Sequence, residues 1–172
     1  MTESWTAPAP LDTAAAASIW AQYAAARPSA AQACPDYTVD RFGDSAELAD
    51  QLLDLVMQGT KRATSAHFDG IVNGGDPLPQ IGSHWIVCDG AGVPRVILRT
   101  VELRLGAFHS VDEQFAYDEG EDDRSRASWL TEHRKYWQRT CAARGAVWTE
   151  DDEIVFERFR VVYPQNLADL DP

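Results

Sequence analysis

The stretch FGDSAELADQLLDLVMQGTKRAT, residues 42–64, decides the fold and supplies the first candidate site. Asp44 can cap a helix here, and Glu47, three residues on, can reach back to the cap in a capping box. Apolar residues follow at helical spacing, which predicts a helix face directed to a core. These residues are Ala49, Leu52, Leu53 and Val56. Gly59 then ends the helix, because glycine readily adopts the left-handed conformation found at helix ends.

Four polar residues follow directly after the end of this helix, namely Lys61, Arg62, Thr64 and Ser65. A lysine three residues before a hydroxyl, just past a glycine stop, is a candidate reactive or phosphate-holding group. A lysine after a helix C-terminus is also common for a purely structural reason, because its charge complements the helix dipole. The spacing alone leaves both interpretations open.

Length and composition restrict the class of protein. The chain of 172 residues predicts one domain. Its net charge of −12 opposes non-specific binding to phosphate backbones, although it leaves room for a local basic cleft. Three widely spaced cysteines predict reduced thiols in a cytoplasmic protein, not a disulfide framework. No apolar run approaches membrane-spanning length, so we expect no membrane partner.

The remaining chain predicts helices around a small, mostly antiparallel sheet, an α+β fold. Alternating apolar residues and a turn signal predict a hairpin of strands at 82–88 and 94–105. A third run at 153–163 returns as a strand. Glycines and prolines predict a long loop over 61–79, and the connection over 28–41 is expected to lack regular structure.

Three further helices are predicted. The first is capped by Asp12 or Thr13 and runs to about Arg27. A short helix covers 111–118, and a longer one runs from a cap at Asp123 or Ser125 to about Ala143, ended by Gly145. The long helix carries a mostly aromatic inward stripe. Its members are Trp129, Leu130, His133, Tyr136, Trp137, Thr140 and Cys141.

The acidic run at 118–123 is the most conspicuous polar feature. It can bind a divalent metal, since hard cations prefer several carboxylates. It can equally be a solvated loop whose charges favour the N-terminus of the helix that follows. Glu119 stands apart, because a carboxylate brought near Lys61 would orient the ammonium or act as a general base.

Several other side chains have both a structural and a functional interpretation. His133 in the aromatic stripe is typical of a hydrogen-bonded core residue, and the other histidines lack metal-ligand spacing, so no zinc site is expected. Trp85 and Trp129 can stack on a base or belong to the core. Ser128 fits a cap or the surface. No nucleotide-cofactor motif is present, so we expect no organic cofactor, while a divalent metal remains open.

Three blocks taken together resemble the activating-signal-cointegrator homology (ASCH) family of the PUA-like superfamily. The first is FGDSAELADQLLDLVMQGTKRATSA, whose centre is a G-x-K-x-x-T pattern at Gly59, Lys61 and Thr64. The second is LPQIGSHWIVCDGAGVPRVILRTVEL, and the third is FAYDEGEDDRSRASWLTEHRKYW with the strand EIVFERFRVVY. The resemblance covers about 40–163, which leaves 1–39 as an appended tail and helix and 164–172 as a C-terminal tail.

The resemblance implies a small β-barrel with flanking helices and a cleft for single-stranded RNA or a modified nucleoside. Two activities have been assigned to family members. Because this chain is longer than the minimal amidohydrolase form, the resemblance favours the first activity, ribonuclease action on single-stranded RNA. The alternatives are an amidohydrolase that removes acetyl from N(4)-acetylcytidine and a non-catalytic RNA-binding module. Carried over to this chain, the catalytic roles fall on Lys61, Thr64 and Glu119.

A wider set of residues is expected to bind the substrate. It comprises Arg62, Ser65, Trp85, Arg99, Arg124, Ser128 and Trp129. The two activities need opposite protonation of Lys61. A neutral lysine would activate the threonine hydroxyl for amide hydrolysis, whereas a charged one would hold a phosphate.

Overall fold

The computed structural model of the chain describes residues 7–169. The first six residues of the predicted N-terminal tail and residues 170–172 of the predicted C-terminal tail lie outside the described residues. Six α-helices are present in the described part: α1 (Thr13–Ala26), α2 (Pro28–Ala33), α3 (Ala46–Met57), α4 (Phe68–Gly74), α5 (Glu113–Glu119) and α6 (Arg126–Ala143). None of these helices combines the length and hydrophobicity needed to cross a membrane.

Five strands form one mixed sheet: β1 (Tyr37–Asp40), β2 (Ala63–His67), β3 (His84–Cys88), β4 (Pro94–Ala107) and β5 (Glu153–Tyr163). Their order in the sheet is β1-β3-β4-β5-β2, with β1 parallel to β3 and the other three ladders antiparallel. The predicted α+β class, the hairpin and the closing strand are confirmed. The four ladders do not show the sheet closed into the small β-barrel that the resemblance implies, because β1 and β2 stand at opposite ends of the order.

Two segments differ from the sequence-based prediction. The connection 28–41 contains α2 and β1, and α2 starts with Pro28 because proline is tolerated at the first helical position. The predicted loop 61–79 contains β2 and α4. The five residues of β2 carry no clear alternation, and they become a strand by pairing with β5, about ninety positions away along the chain.

Helix α3 confirms the apolar face but not the predicted cap. Ser45, not Asp44, caps it, since the Ser45 hydroxyl accepts a hydrogen bond from Leu48 N at 3.1 Å. Asp44 instead forms an ion pair with Arg139 of α6. Gly59 has φ +87°, as expected of a residue that ends a helix in the left-handed conformation.

Strand β5 separates two parts of the core. Phe156 packs toward α6 with Trp129 and Trp137, whereas Phe159 packs on the other side against Phe42. Side chains alternate between the faces of a strand, so consecutive residues of β5 and of its neighbour β2 serve different sides of the sheet. This alternation decides which candidate residues meet.

Candidate active site

Two segments far apart in sequence touch just before β2 begins. The Arg62 amide donates a hydrogen bond to the Asp118 carbonyl at 2.8 Å. Gly120 follows α5 with φ +76°, and a Cβ added there would lie 2.6 Å from the Thr60 carbonyl oxygen. Only glycine satisfies both the conformation and the close approach. The contact brings the end of α5 against the residues that precede β2.

Lys61 is buried by this contact, with 1% of its surface exposed. Its ammonium lies 2.5 Å from Glu121 Oε1 and 3.4 Å from the backbone carbonyl oxygen of Glu119. It also lies 5.4 Å from the centre of the Phe42 ring. These are the contacts of a charged ammonium. The structure thus brings Lys61 to Glu119, but the carboxylate that pairs with Lys61 belongs to Glu121, which the sequence singled out only as part of the acidic run.

The Glu119 side chain is also buried, with 1% exposure. Its Oε2 atom accepts a hydrogen bond from Trp129 Nε1 at 2.9 Å and lies 3.1 Å from His133 Nε2. Burial alone would raise the pKa of Glu119. The positive charges of His133 and Lys61 outweigh that cost, with help from hydrogen bonds, and hold the pKa at about 2. Glu119 is therefore ionised at neutral pH.

His133 is the charge partner of Glu119. Its Nδ1 lies 3.0 Å from the Trp129 carbonyl oxygen, which can only accept, so Nδ1 carries a proton. Burial acts to lower the pKa of His133, but the Glu119 carboxylate outweighs burial and raises it. The ring also stacks on Trp129, with 4.1 Å between ring centres. The predicted hydrogen-bonded core residue is thus also half of a buried ion pair.

This group of residues, Lys61, Glu119, Glu121 and His133, is called the buried charge cluster below. Ligand atoms of its two carboxylates and its imidazole lie within 4.8 Å of one another, close enough to surround one cation. The negative charges of the two carboxylates in the cluster are already balanced by the positive charges of Lys61 and His133. A divalent metal would have to displace the Lys61 ammonium or the His133 proton, so these residues do not fit a metal well.

Two buried oxygen atoms, one in the cluster and one beside it, make no hydrogen bond of good geometry within residues 7–169. They are Glu119 Oε1 and Ser65 Oγ. Ser65 lies in β2 on the face that it shares with Ala63 and His67, and its hydroxyl contributes to lowering the pKa of Glu119. Ser65 therefore connects the cluster to the open surface along β2.

Two cavities adjoin β2. The larger has a volume of about 590 Å³ and the smaller about 580 Å³. Five residues line both, so the cavities are adjoining halves of one groove: Ser65, Ala66, Ile71, Asp76 and Tyr136. Each volume falls in the range of small-molecule sites, roughly 300–1,000 Å³.

The larger cavity contains Thr64 and Trp85. Trp85 is partly buried, packs edge-on against Phe42 with 4.6 Å between ring centres, and has an indole Nε1 without a hydrogen-bond partner among the described residues. Thr64 points to the sheet face opposite to Ser65. Thr64 lines the larger cavity, whereas Lys61 and Glu119 are buried in the charge cluster and do not line it. Phe42 adjoins both, because it lines the cavity and its ring centre lies 5.4 Å from the Lys61 ammonium.

Four other predicted binding residues lie elsewhere. The Arg62 guanidinium binds the carboxylate of Asp169, with the shortest distance 2.8 Å. Arg124 stacks over the Tyr117 ring at 3.5 Å, and Ser128 donates its backbone amide to the cap of α6. Trp129 is buried and hydrogen-bonded to Glu119.

Arg99 has a different environment. It lies opposite His84 in the β3–β4 ladder, and its Nε atom is buried without a partner within the described part of the chain. Its charge and burial together lower the pKa of His84 to about 4, with burial as the larger cause. His84 is therefore neutral where it lines the larger cavity.

Sequence reasoning missed Glu157 in the larger cavity. It lies directly opposite Thr64 in the β2–β5 ladder, so the two side chains share a face. Thr100 donates a hydrogen bond to Glu157 Oε1 at 2.5 Å. Burial raises the pKa of Glu157, and the Thr100 hydrogen bond opposes this only in part. The sequence feature that could have identified Glu157 is its place as a charged residue on the inward face of β5, between Val155 and Phe159.

Comparisons with known proteins agree with this architecture. A family model described as the ASCH domain matches residues 38–163. An ASCH domain protein from Lactobacillus crispatus JV V101 is 28% identical, with a TM-score of 0.80, over 90% of this chain and 97% of that chain. A protein from Enterococcus faecalis V583, of the family DUF984, is 30% identical, with a TM-score of 0.66, over 72% of this chain and 75% of that one. No curated protein matches the chain.

Proposed function

This chain belongs to the ASCH domain family, and from that premise we propose that it is a hydrolase acting on an RNA-derived nucleoside that carries an amide. N(4)-acetylcytidine is the representative substrate. The observation that carries the proposal is the larger cavity, which combines the Thr64 hydroxyl with flat aromatic side chains and carboxylates. Ribonuclease action, which the family resemblance and the chain length placed first, becomes the second candidate.

The size and walls of the larger cavity support a nucleoside ligand. Its volume of about 590 Å³ suits a molecule of that size. Trp85 offers an aromatic face on which a base can stack. The hydroxyls of Ser83 and Thr100 supply polar groups that can orient the base and the sugar.

The charges support a neutral substrate over a polyanion. Four carboxylates line the larger cavity, namely Asp36, Asp40, Asp76 and Glu157. They would repel the phosphates of a nucleic acid, as would the net charge of −12. Arg62 and Arg124, expected to line the cleft, are engaged in contacts within the protein. A nucleoside without a phosphate avoids this repulsion.

Amide hydrolysis would proceed through Thr64. Its hydroxyl oxygen attacks the acetyl carbonyl carbon, the C–N bond breaks, and the exocyclic nitrogen leaves with a proton. Water then hydrolyses the acetyl ester on Thr64 and releases acetate. Lys61 contacts Glu121 as a charged ammonium, so we assign it electrostatic support and positioning, not proton abstraction.

The test is incubation of the purified protein with acetylcytidine, with cytidine formation followed by chromatography. Wild type should convert the substrate, and Thr64→Val should lose roughly 10²-fold or more, as expected for loss of a nucleophile. Thr131→Val is the matched control, because Thr131 is exposed on α6 and should retain full activity. No conversion by wild type, or equal rates for wild type and Thr64→Val, would overturn the proposal.

Single-stranded RNA is the second candidate substrate, and the smaller cavity favours it. Arg139, which pairs with Asp44, and Arg144 line that cavity, and a phosphate could contact them in competition with their contacts within the protein. A parallel incubation with an end-labelled RNA oligonucleotide separates the candidates. Cleavage of RNA without conversion of acetylcytidine would show that the protein is a ribonuclease. Salt-dependent RNA binding without either reaction would indicate a binding module.

A further inference from the structure

Glu157 and Thr64 form a pair of neighbours across two strands. Residues directly opposite each other in an antiparallel ladder have Cβ atoms about 4.5–5.5 Å apart. Both side chains line the larger cavity, so they face the same space. A carboxylate in this position is within reach of the threonine hydroxyl, either directly or through one water molecule.

Glu157 has no cationic partner among the described residues. Its cross-strand neighbours are Thr64 on β2 and Leu103 on β4, and its hydrogen bond comes from Thr100. That bond occupies Oε1, which leaves Oε2 free for another donor. None of the other titratable or charged groups of the cavity lining forms an ion pair with Glu157 in the described part of the chain; they are Cys34, Asp36, Tyr37, Asp40, Arg41, Asp76, His84 and Tyr136.

The protonation behaviour of Glu157 suits proton transfer. Burial raises its pKa above the ordinary value of 4.5. A carboxylate with a raised pKa is a stronger base, and catalytic bases work best when their pKa approaches the operating pH. Glu119 is less suited to this role, because His133 and Lys61 hold its pKa at about 2.

We propose that Glu157 is a further catalytic residue of this site, the base that takes the proton from the Thr64 hydroxyl, with Thr100 as its positioning residue. The inference rests on the proposed hydrolase function. As the Thr64 oxygen bonds to the acetyl carbon, its proton moves to Glu157, which passes it to the leaving nitrogen as the C–N bond breaks. In the second half, Glu157 takes a proton from water and returns it to the Thr64 oxygen as the ester bond breaks.

Turnover of acetylcytidine gives the first test. Glu157→Gln should lower kcat by roughly 10²–10⁴-fold, the usual contribution of a general base, with KM nearly unchanged. Activity of wild type should fall as pH drops through the pKa of Glu157, and this acid limb should disappear in Glu157→Gln. Glu153→Gln, an exposed position of the same strand, is the matched control and should behave as wild type.

Thr100→Val tests the positioning role. The Thr100 hydrogen bond lowers the pKa of Glu157, so its loss should move the acid limb of the pH profile to higher pH. A purely structural role for Thr100 would lower the rate without moving the limb. Thermal melting of each variant checks that the fold is retained.

A second readout does not depend on the natural substrate. An activated acetyl ester should acetylate Thr64 in wild type, with the rate of labelling followed as the initial release of the leaving group and the position located by peptide mass mapping after an acid quench, and Glu157→Gln should slow this labelling by a similar factor. Labelling that depends on Glu157 without turnover of acetylcytidine would support the inference and overturn the proposed substrate. Equal labelling in both proteins, or no labelling of Thr64, would overturn the inference. So would a Glu157→Gln variant that retains kcat and the acid limb while Thr64→Val is inactive.

Discussion

The two faces of β2 differ in how their charges are used. On the Ser65 side, the buried charge cluster holds two carboxylates against an ammonium and an imidazolium, with little access to solvent. On the Thr64 side, Glu157 lines an open cavity, and its hydrogen-bond partner within residues 7–169 is the hydroxyl of Thr100. The paired charges fix the geometry of the domain, whereas the unpaired carboxylate is free to exchange a proton. Substitutions on the two faces should therefore have different consequences.

The largest expected effect is on stability, from Glu119→Gln. It leaves His133 without its carboxylate partner and removes a negative charge near Lys61, which keeps Glu121, and this should cost about 3–5 kcal/mol of unfolding free energy. Chemical denaturation measures this cost. Glu132→Gln is the control, because Glu132 forms an exposed pair with Lys135 and should change stability little. A loss as small as that of the control would show that the cluster does not stabilise the fold.

A second variant breaks the contact that assembles the cluster. Gly120→Ala should destabilise by more than Gly145→Ala, although both glycines have positive φ, of 76° and 70°. An alanine Cβ at position 120 meets the Thr60 backbone, whereas position 145 has nothing within 4 Å. The left-handed conformation costs about 1–2 kcal/mol at either site, and the clash should add at least about 1 kcal/mol. Equal losses would contradict the close approach.

The pH dependence of stability should carry the signature of the Glu119–His133 pair. The lowered pKa of Glu119 gives stability that is present above about 4.5 and is lost as pH falls toward 2. The raised pKa of His133 gives stability that is present below 6.5 and is lost as pH rises through its folded pKa. The pair's contribution is therefore complete between about pH 4.5 and 6.5.

Denaturation curves from pH 3 to 9 measure this contribution. The unfolding free energy should fall above pH 6.5 by at most about 1.4 kcal/mol per pH unit. His109→Asn is the control and should give nearly the same curve as wild type, because the His109 side chain is exposed and pairs with Glu150, not with a member of the cluster. Stability that rises steadily from pH 6.5 to 8 would contradict a charged His133.

The smallest expected effect on stability comes from the cavity side. Glu157→Gln should leave the melting temperature at pH 7 unchanged or slightly higher, because it removes a carboxylate that burial disfavours. Thr64→Val should also change stability by less than about 1 kcal/mol. Both should nevertheless lower activity. A loss of stability from Glu157→Gln comparable to that from Glu119→Gln would show that Glu157 has a structural role.

The sequence allowed much of the fold to be predicted, because most elements carry local signals. The apolar face and glycine stop of α3, the alternation of β5 and the turn in the hairpin each lie within a few residues. Strands β1 and β2 and helix α4 lack such signals. Their structure depends on pairing and packing with distant segments, which no local pattern reports.

The candidate site was predictable only in part, for the same reason. The resemblance pointed to Lys61 and Glu119, and the contact at Gly120 brings them together. Because a loop was predicted over 61–79, the strand alternation that places Thr64 and Ser65 on opposite faces was not predicted. The register that places Glu157 opposite Thr64 was missed as well.

A crystal structure of the protein soaked with cytidine, the product of the proposed reaction, would show whether the Thr64 face of β2 is the reactive one. We expect the base in the larger cavity, stacked on Trp85, with its exocyclic amine beside the Thr64 hydroxyl and the Glu157 carboxylate. Cytidine bound only in the smaller cavity, beside His67 and Arg144, would contradict this assignment.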